Sequence, residues 1–176
     1  MKLIIMTFAF VLANFGLAEN WKVKSAEAKV TFSVKGPFGT VNGSFAGLKA
    51  NIEFDAKHPE NGSLSASVDV KTINTGIGLR NSDLKKEKYF NAEKYPLISF
   101  KSKSIEKTEK GFKAEGTLTL KDVSKPVSIP FTFIGNGNDG VFKGDFDINR
   151  EDYNVGSKGG SIGNKVSIHL EVPASK

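Results

Sequence analysis

The chain has 176 residues, 39% of them hydrophobic, and a formal net charge of +6, enough for one domain with a sizeable core. Cysteine is absent, which excludes a disulfide framework, a lipoprotein anchor and thiolate metal or redox chemistry. The positive charge is nearly all lysine, spread among Glu and Asp, so nucleic acid is not an expected partner; the spread reads as solvated strand faces with weak attraction to anionic lipid or cell-wall surfaces.

Met1 and Lys2 lead into the apolar run from Leu3 to Leu12, and small residues stand two apart at Gly16 and Ala18. This pattern predicts a signal peptide over 1–18, cleaved after Ala18. The run is shorter than the ~20 residues a spanning helix needs. Residues 19–176 are then one exported domain, periplasmic or secreted, with no integral membrane span.

Beyond Trp21 the pattern has period two. Val30, Phe32 and Val34 alternate with Thr31, Ser33 and Lys35, and Leu64, Ala66, Val68 and Val70 alternate with Ser65, Ser67, Asp69 and Lys71. Phe112 to Lys121, Phe142 to Asn149 and Val166 to Val172 repeat it. About eight segments result, near 28–35, 40–54, 63–74, 97–107, 111–121, 124–134, 140–149 and 164–173. One face is apolar and the other wet, as in an antiparallel sheet. Polar turns such as Thr108-Glu109-Lys110 link the later segments as hairpins. The expected fold class is all-β: an eight-stranded antiparallel, lipocalin-like β-barrel, with a two-layer sandwich as the rival. Within 40–54 the apolar parity changes near Gly47, as a β-bulge would require, and bulges bend strands around barrels. One short helix is predicted over 82–89, capped by Asn81 or Ser82. The glycine-rich stretch Ser157 to Gly163 is expected to be a mobile loop.

Catalytic chemistry has little to be built from. His58 and His169 stand apart, no serine lies in a nucleophile elbow, and the adjacent acids Glu151 and Asp152 would point to opposite faces of an extended chain. A carboxylate-only hydrolase stays open as an alternative.

Phe32, Phe45, Phe54, Phe100, Phe112, Phe131, Phe133, Phe142 and Phe146 fall on apolar faces. Between them stand small residues at the inward positions Gly43, Ala50, Ala66, Thr72, Ser102, Ser104, Ala114, Gly116 and Gly144. Unfilled apolar volume costs stability at ~24 cal/mol per Å3, which a hydrophobic guest would offset. A solid barrel with alternating sizes, acting as a scaffold through its outer surface, is the competing reading. Arg80 and Arg150 are the two arginines, each where strand pattern gives way to polar loop. Each is a candidate clamp for a polar or phosphorylated head group, or else a fixed ion pair with Asp83, Glu93 or Asp152. Tyr89, Phe90 and Tyr95 either roof the barrel or pack beneath the helix.

The stretch Arg80-Asn81-Ser82-Asp83-Leu84, then Tyr89-Phe90-Asn91 and Tyr95-Pro96-Leu97-Ile98-Ser99-Phe100, resembles the central signature of YceI-like proteins. So do Gly116 to Val127, the opening Val30 to Lys35 with Val41 to Phe45, and the closing Ile148 to Tyr153. Departures are Gly36, where histidine is frequent, Asn81 for aspartate and Tyr89 for phenylalanine. The resemblance implies an exported barrel holding a long-chain isoprenoid or other amphiphilic lipid, without a cofactor. The tail would lie along Phe32, Phe45, Phe100, Phe112, Phe131 and Phe146. Arg80 and the Tyr89–Tyr95 segment would sit near one end, and pairing of two barrels as a homodimer stays open.

Overall fold

The computed structural model describes residues 18–176; the predicted signal segment lies almost wholly outside them. Ten strands run in chain order: β1 (Glu19–Val23), β2 (Lys29–Gly36), β3 (Gly39–Phe45), β4 (Lys49–Phe54), β5 (Ser63–Asp69), β6 (Leu97–Thr108), β7 (Gly111–Leu120), β8 (Val123–Asn136), β9 (Asp139–Asn149) and β10 (Lys165–Ser175). A single α-helix, α1 (Gly78–Leu84), lies between β5 and β6.

Every pairing is antiparallel, and β1 pairs with both β4 and β10, which closes the sheet on itself. The ten strands fill eight positions around the barrel, because β1 and β2 are two halves of one broken strand and β3 and β4 are halves of the next. Both β1 and β2 lie on β10, while β2 takes β3 as its other neighbour and β1 takes β4. The fold is the expected closed, eight-stranded antiparallel barrel, and the sandwich is ruled out.

The breaks matter more than a bulge would. At residues 46–48 the chain leaves the sheet altogether, with Gly47 in the left-handed region at φ 67°, where a side chain would be strained. Below the break β4 pairs with β5 along five residues. Above it β3 has no strand neighbour on that side, and only Asn74 bridges to Ser44, through backbone bonds of 2.8 and 2.9 Å. The barrel therefore flares at the end where β2 meets β3. A register shift also falls in β6, between Ser102 and Ser104. It moves the buried phase from Phe100 to Ile105, so Ser104 faces solvent and is not the inward small residue its parity predicts.

Helix α1 spans Gly78–Leu84, earlier than the predicted 82–89, and no side chain caps it. Asn81 is otherwise engaged: its Oδ1 accepts from the backbone N–H and the hydroxyl of Thr75, at 2.8 and 2.7 Å. The chain from Lys85 to Tyr95 continues as hydrogen-bonded turns.

Candidate functional site

The closed end of the barrel is filled with aromatic rings. Phe54, wholly buried, lies edge-on to Phe112, Phe131, Phe133 and Phe142 at centroid distances of 4.9 to 5.6 Å. Trp21 joins them from β1, with Phe133 at 5.0 Å, and its indole N–H donates to the Phe54 carbonyl at 3.0 Å. Such offset and edge contacts add about 0.5–1.5 kcal/mol per pair beyond burial. This end is a plug, and among the described residues the cavity stops at it without running on as a tunnel.

Above the plug a cavity of about 590 Å3 opens toward the flared end. Its floor includes Ile52, Phe131 and Phe142, and its walls include Val30, Phe32, Phe45, Ala50, Ala66, Phe100, Phe146 and Leu170. Its mouth is edged by the β2–β3 turn with Pro37 and Phe38, by Arg80 and Leu84 of α1, by Tyr89 and Phe90, and by Val155 and Ile162. Phe90 meets Phe45 edge-on at 6.1 Å, which ties the segment after α1 to the strand that leaves the sheet.

Of the residues singled out in the sequence, Phe32, Phe45, Arg80, Tyr89, Phe90, Phe100, Phe131, Phe146 and Arg150 line this cavity. Phe112 does not; it stacks on Phe131 at 5.4 Å inside the plug. Tyr95 also lies away from it, with its hydroxyl donating to the Asp122 carboxylate at 3.3 Å.

The small residues divide by what faces them. Ala50, Ala66, Ala114 and Gly144 line the cavity. Gly43 instead lies beneath the ring of Phe32, its cross-strand partner, and Gly116 beneath that of Phe100, diagonal to it on the neighbouring strand. A Cβ on Gly116 would meet the Phe100 ring at 2.6 Å, and one on Gly140 would meet Phe133 at the same distance. At these positions the glycine leaves room for a ring and not for a guest. Thr72 sits in a turn, its hydroxyl donating to Asp69.

The two arginines differ sharply. Arg150 is 6% exposed, and its guanidinium gathers the carbonyls of Gly163, Val155, Ser157 and Ile162 between 2.8 and 3.1 Å, with the Asn164 side chain at 3.3 Å. Glu151 stands at 3.5 Å as its ion-pair partner. Its donors are spent on holding the loop 150–164, so the glycine-rich stretch is folded around a buried hub. Arg80 is half-buried and bonds only to Thr75, from Nε to the hydroxyl at 2.8 Å and from one terminal nitrogen to the carbonyl at 2.6 Å. Among the described residues no carboxylate pairs with it. It is a cation at the cavity mouth that is not neutralised by an ion pair.

Some lining residues carried no sequence signal. Phe38 is a single aromatic in a tight turn, and Val155 and Ile162 are isolated apolar residues in a polar loop. No group of three or more His, Cys, Asp or Glu that could hold a metal occurs among the described residues. No helix among them is long and apolar enough to cross a membrane.

A closed antiparallel barrel of eight positions with a blind apolar pocket defines the lipocalin-like class of binding barrels. The chain belongs to the YceI-like family, whose domain model matches residues 21–174. A UPF0312 protein of Yersinia enterocolitica is 26% identical over 169 residues, covering 91% of this chain and 88% of that protein. The crystal structure of BcnA from Burkholderia cenocepacia is similar with a TM-score of 0.83 and 27% identity, over 88% of this chain and all of that one. A polyisoprenoid binding domain from Saccharophagus degradans, implicated in plant cell wall breakdown, shares the fold at a TM-score of 0.69 and 13% identity, over 91% of this chain and 99% of that one.

Proposed function

We propose that this protein is an exported, non-catalytic carrier that holds a long-chain amphiphile, a polyisoprenoid or a quinone- or fatty-acid-like lipid, in the barrel cavity. The observation that carries this reading is the blind apolar pocket of about 590 Å3, within the roughly 300–1,000 Å3 typical of small-molecule sites. Its walls offer alkyl and aromatic contact and almost no polar groups, which suits a tail and not a polar substrate. The polyisoprenoid named for the similarly folded domain from Saccharophagus degradans is a guest of that shape.

Arg80 gives the pocket polarity along its length. A guest with its tail on the floor would bring its head to the mouth, where an arginine without an acidic partner can take a carboxylate or phosphate through two parallel hydrogen bonds. Arg150, with its donors already engaged, supports the mouth from within.

Native mass spectrometry of protein purified without detergent tests the reading. Prenyl-lipid adducts are the expected result, and a guest confined to the folded state should raise the thermal midpoint. Arg80→Gln should weaken an anionic prenyl lipid by about tenfold, as loss of a charged hydrogen bond does, and leave a neutral prenyl alcohol unaffected. A bare mass, with no uptake of added prenyl lipid and no thermal shift, would sink the proposal and return the barrel to a scaffold role.

A further inference from the structure

The outer surface is strongly uneven between the two ends. Five large apolar side chains are exposed among the described residues, and four of them, Phe38, Ile77, Leu79 and Leu97, lie at the open end. Phe38, itself at the edge of the cavity mouth, is fully exposed at the tip of the β2–β3 turn, and Leu79, next to Arg80 of that edge, is 77% exposed on α1. The fifth, Ile134, is near the far end of β8, beside the plug.

Charge follows the same axis. The connections at the open end, 37–38, 70–96, 121–122 and 150–164, carry nine basic and six acidic side chains. Those at the closed end, 55–62, 109–110 and 137–138, carry two basic and three acidic ones. Lys35, Lys85 and Lys158 at the open end have no carboxylate partner among the described residues, and neither have Lys57 and Lys110 at the closed end, so the two ends differ in the net charge of their connections and not in ion pairing.

We propose that the open end is a docking face for an anionic lipid bilayer, with Phe38 and Leu79 seated in the interfacial layer and the lysines over the head groups. Apolar side chains at a rim attract any greasy surface, but their combination with unpaired cations selects one that is greasy beneath and negative on top. A second copy of this chain fits poorly, because mouth-to-mouth pairing would bring two positive rims together. Docking puts the cavity mouth against the bilayer, so an apolar tail could pass between them without crossing water. The face is defined by the outer rim and does not depend on which guest the cavity holds.

Flotation with vesicles of phosphatidylcholine, with and without phosphatidylglycerol, in low and high salt, tests the proposal; the protein begins at Glu19, since strands from there onward close the barrel. Binding should need phosphatidylglycerol and weaken as salt rises. The double variant Phe38→Ser, Leu79→Ser should bind at least about tenfold more weakly, and each of Lys35→Gln, Lys85→Gln and Lys158→Gln about fivefold. Ile134→Ser should bind as the parent does, and thermal melts of all variants should match it. No binding at low salt, binding that survives the double variant, or equal loss with Ile134→Ser overturns the assignment. So does a dimer in solution that Phe38→Ser dissolves, which would give the patch to a second copy. These vesicles hold no prenyl lipid, so failure of the carrier reading shows separately, as absent adducts in the mass spectrum.

Discussion

The closed and open halves of this barrel are made from strands of the same alternating kind, yet one is packed with rings and the other is hollow. Hydrophobicity does not separate them, since phenylalanines line both. Strand continuity does. Around the plug, β1, β4 and β5 lie in an unbroken ladder and press Phe54 into the centre of a ring cluster. Past the breaks at 24–28 and 46–48, β3 parts from β5 and the circumference grows. The walls there carry Ala50, Ala66 and Gly144, which cannot reach the axis. A pocket thus arises where backbone geometry widens the barrel and side chains decline to fill it.

The largest expected effect falls on the packed half. Phe54→Ala should cost about 3–5 kcal/mol in a denaturant titration, because its neighbours on all sides cannot close the space. Removal of a cavity-wall ring such as Phe146, which borders open volume on one side, should cost clearly less; equal losses would erase the distinction between plug and pocket. Next comes Arg150→Met, which leaves the carbonyls of loop 150–164 without donors and should cost about 2–4 kcal/mol. A variant of unchanged stability but poorer lipid uptake would instead make Arg150 a head-group clamp.

Ala66→Phe is smaller in stability and sharper in meaning. The open half has space for the ring, so the cost should stay below about 1.5 kcal/mol, while prenyl-lipid adducts disappear from the mass spectrum. The least effect is on pH dependence, through the outer faces of the strands. Lys29 and Lys143 hold the Glu171 carboxyl below its ordinary range, and Lys165 with Ser167 does the same for Asp147. The stability they contribute is complete above the ordinary carboxylate pKa and is lost as pH falls through their lowered values. Thermal midpoints should therefore hold from neutral pH down to about pH 4.5 and fall below it, and Glu171→Gln should shrink that fall slightly.

Much of the architecture was legible in the chain, because each strand exposes one face and the alternation reports it directly. The cavity was legible only in part. Ala50 and Ala66 look small and are small where it counts, but Gly43 and Gly116 look the same and lie beneath rings supplied by the neighbouring strand. Distinguishing them needs the cross-strand register, which one sequence does not carry. Ser104 faces solvent against its parity because of the register shift in β6, which no glycine in that strand marks. Strand β1 leaves no signal in the sequence, since five residues with one buried tryptophan hold too little alternation. The helix starts earlier than the sequence predicts, because Asn81 and Ser82 have the chemistry of caps while Asn81 accepts instead from Thr75. Arg150 reads in the sequence as a clamp or an ion pair, but its main partners are backbone carbonyls, acceptors that every residue possesses and no sequence pattern advertises.

The ring cluster that stops the barrel at one end has a topological consequence. A container with a single door loads and discharges through the same opening, and its contents leave in the reverse of the order in which they came, head before tail. Two membranes could not be served at once by such a molecule acting as a pipe between them. It would have to let go of one, turn over in solution, and present the same face to the other, so its traffic would be limited by tumbling and release and not by flow.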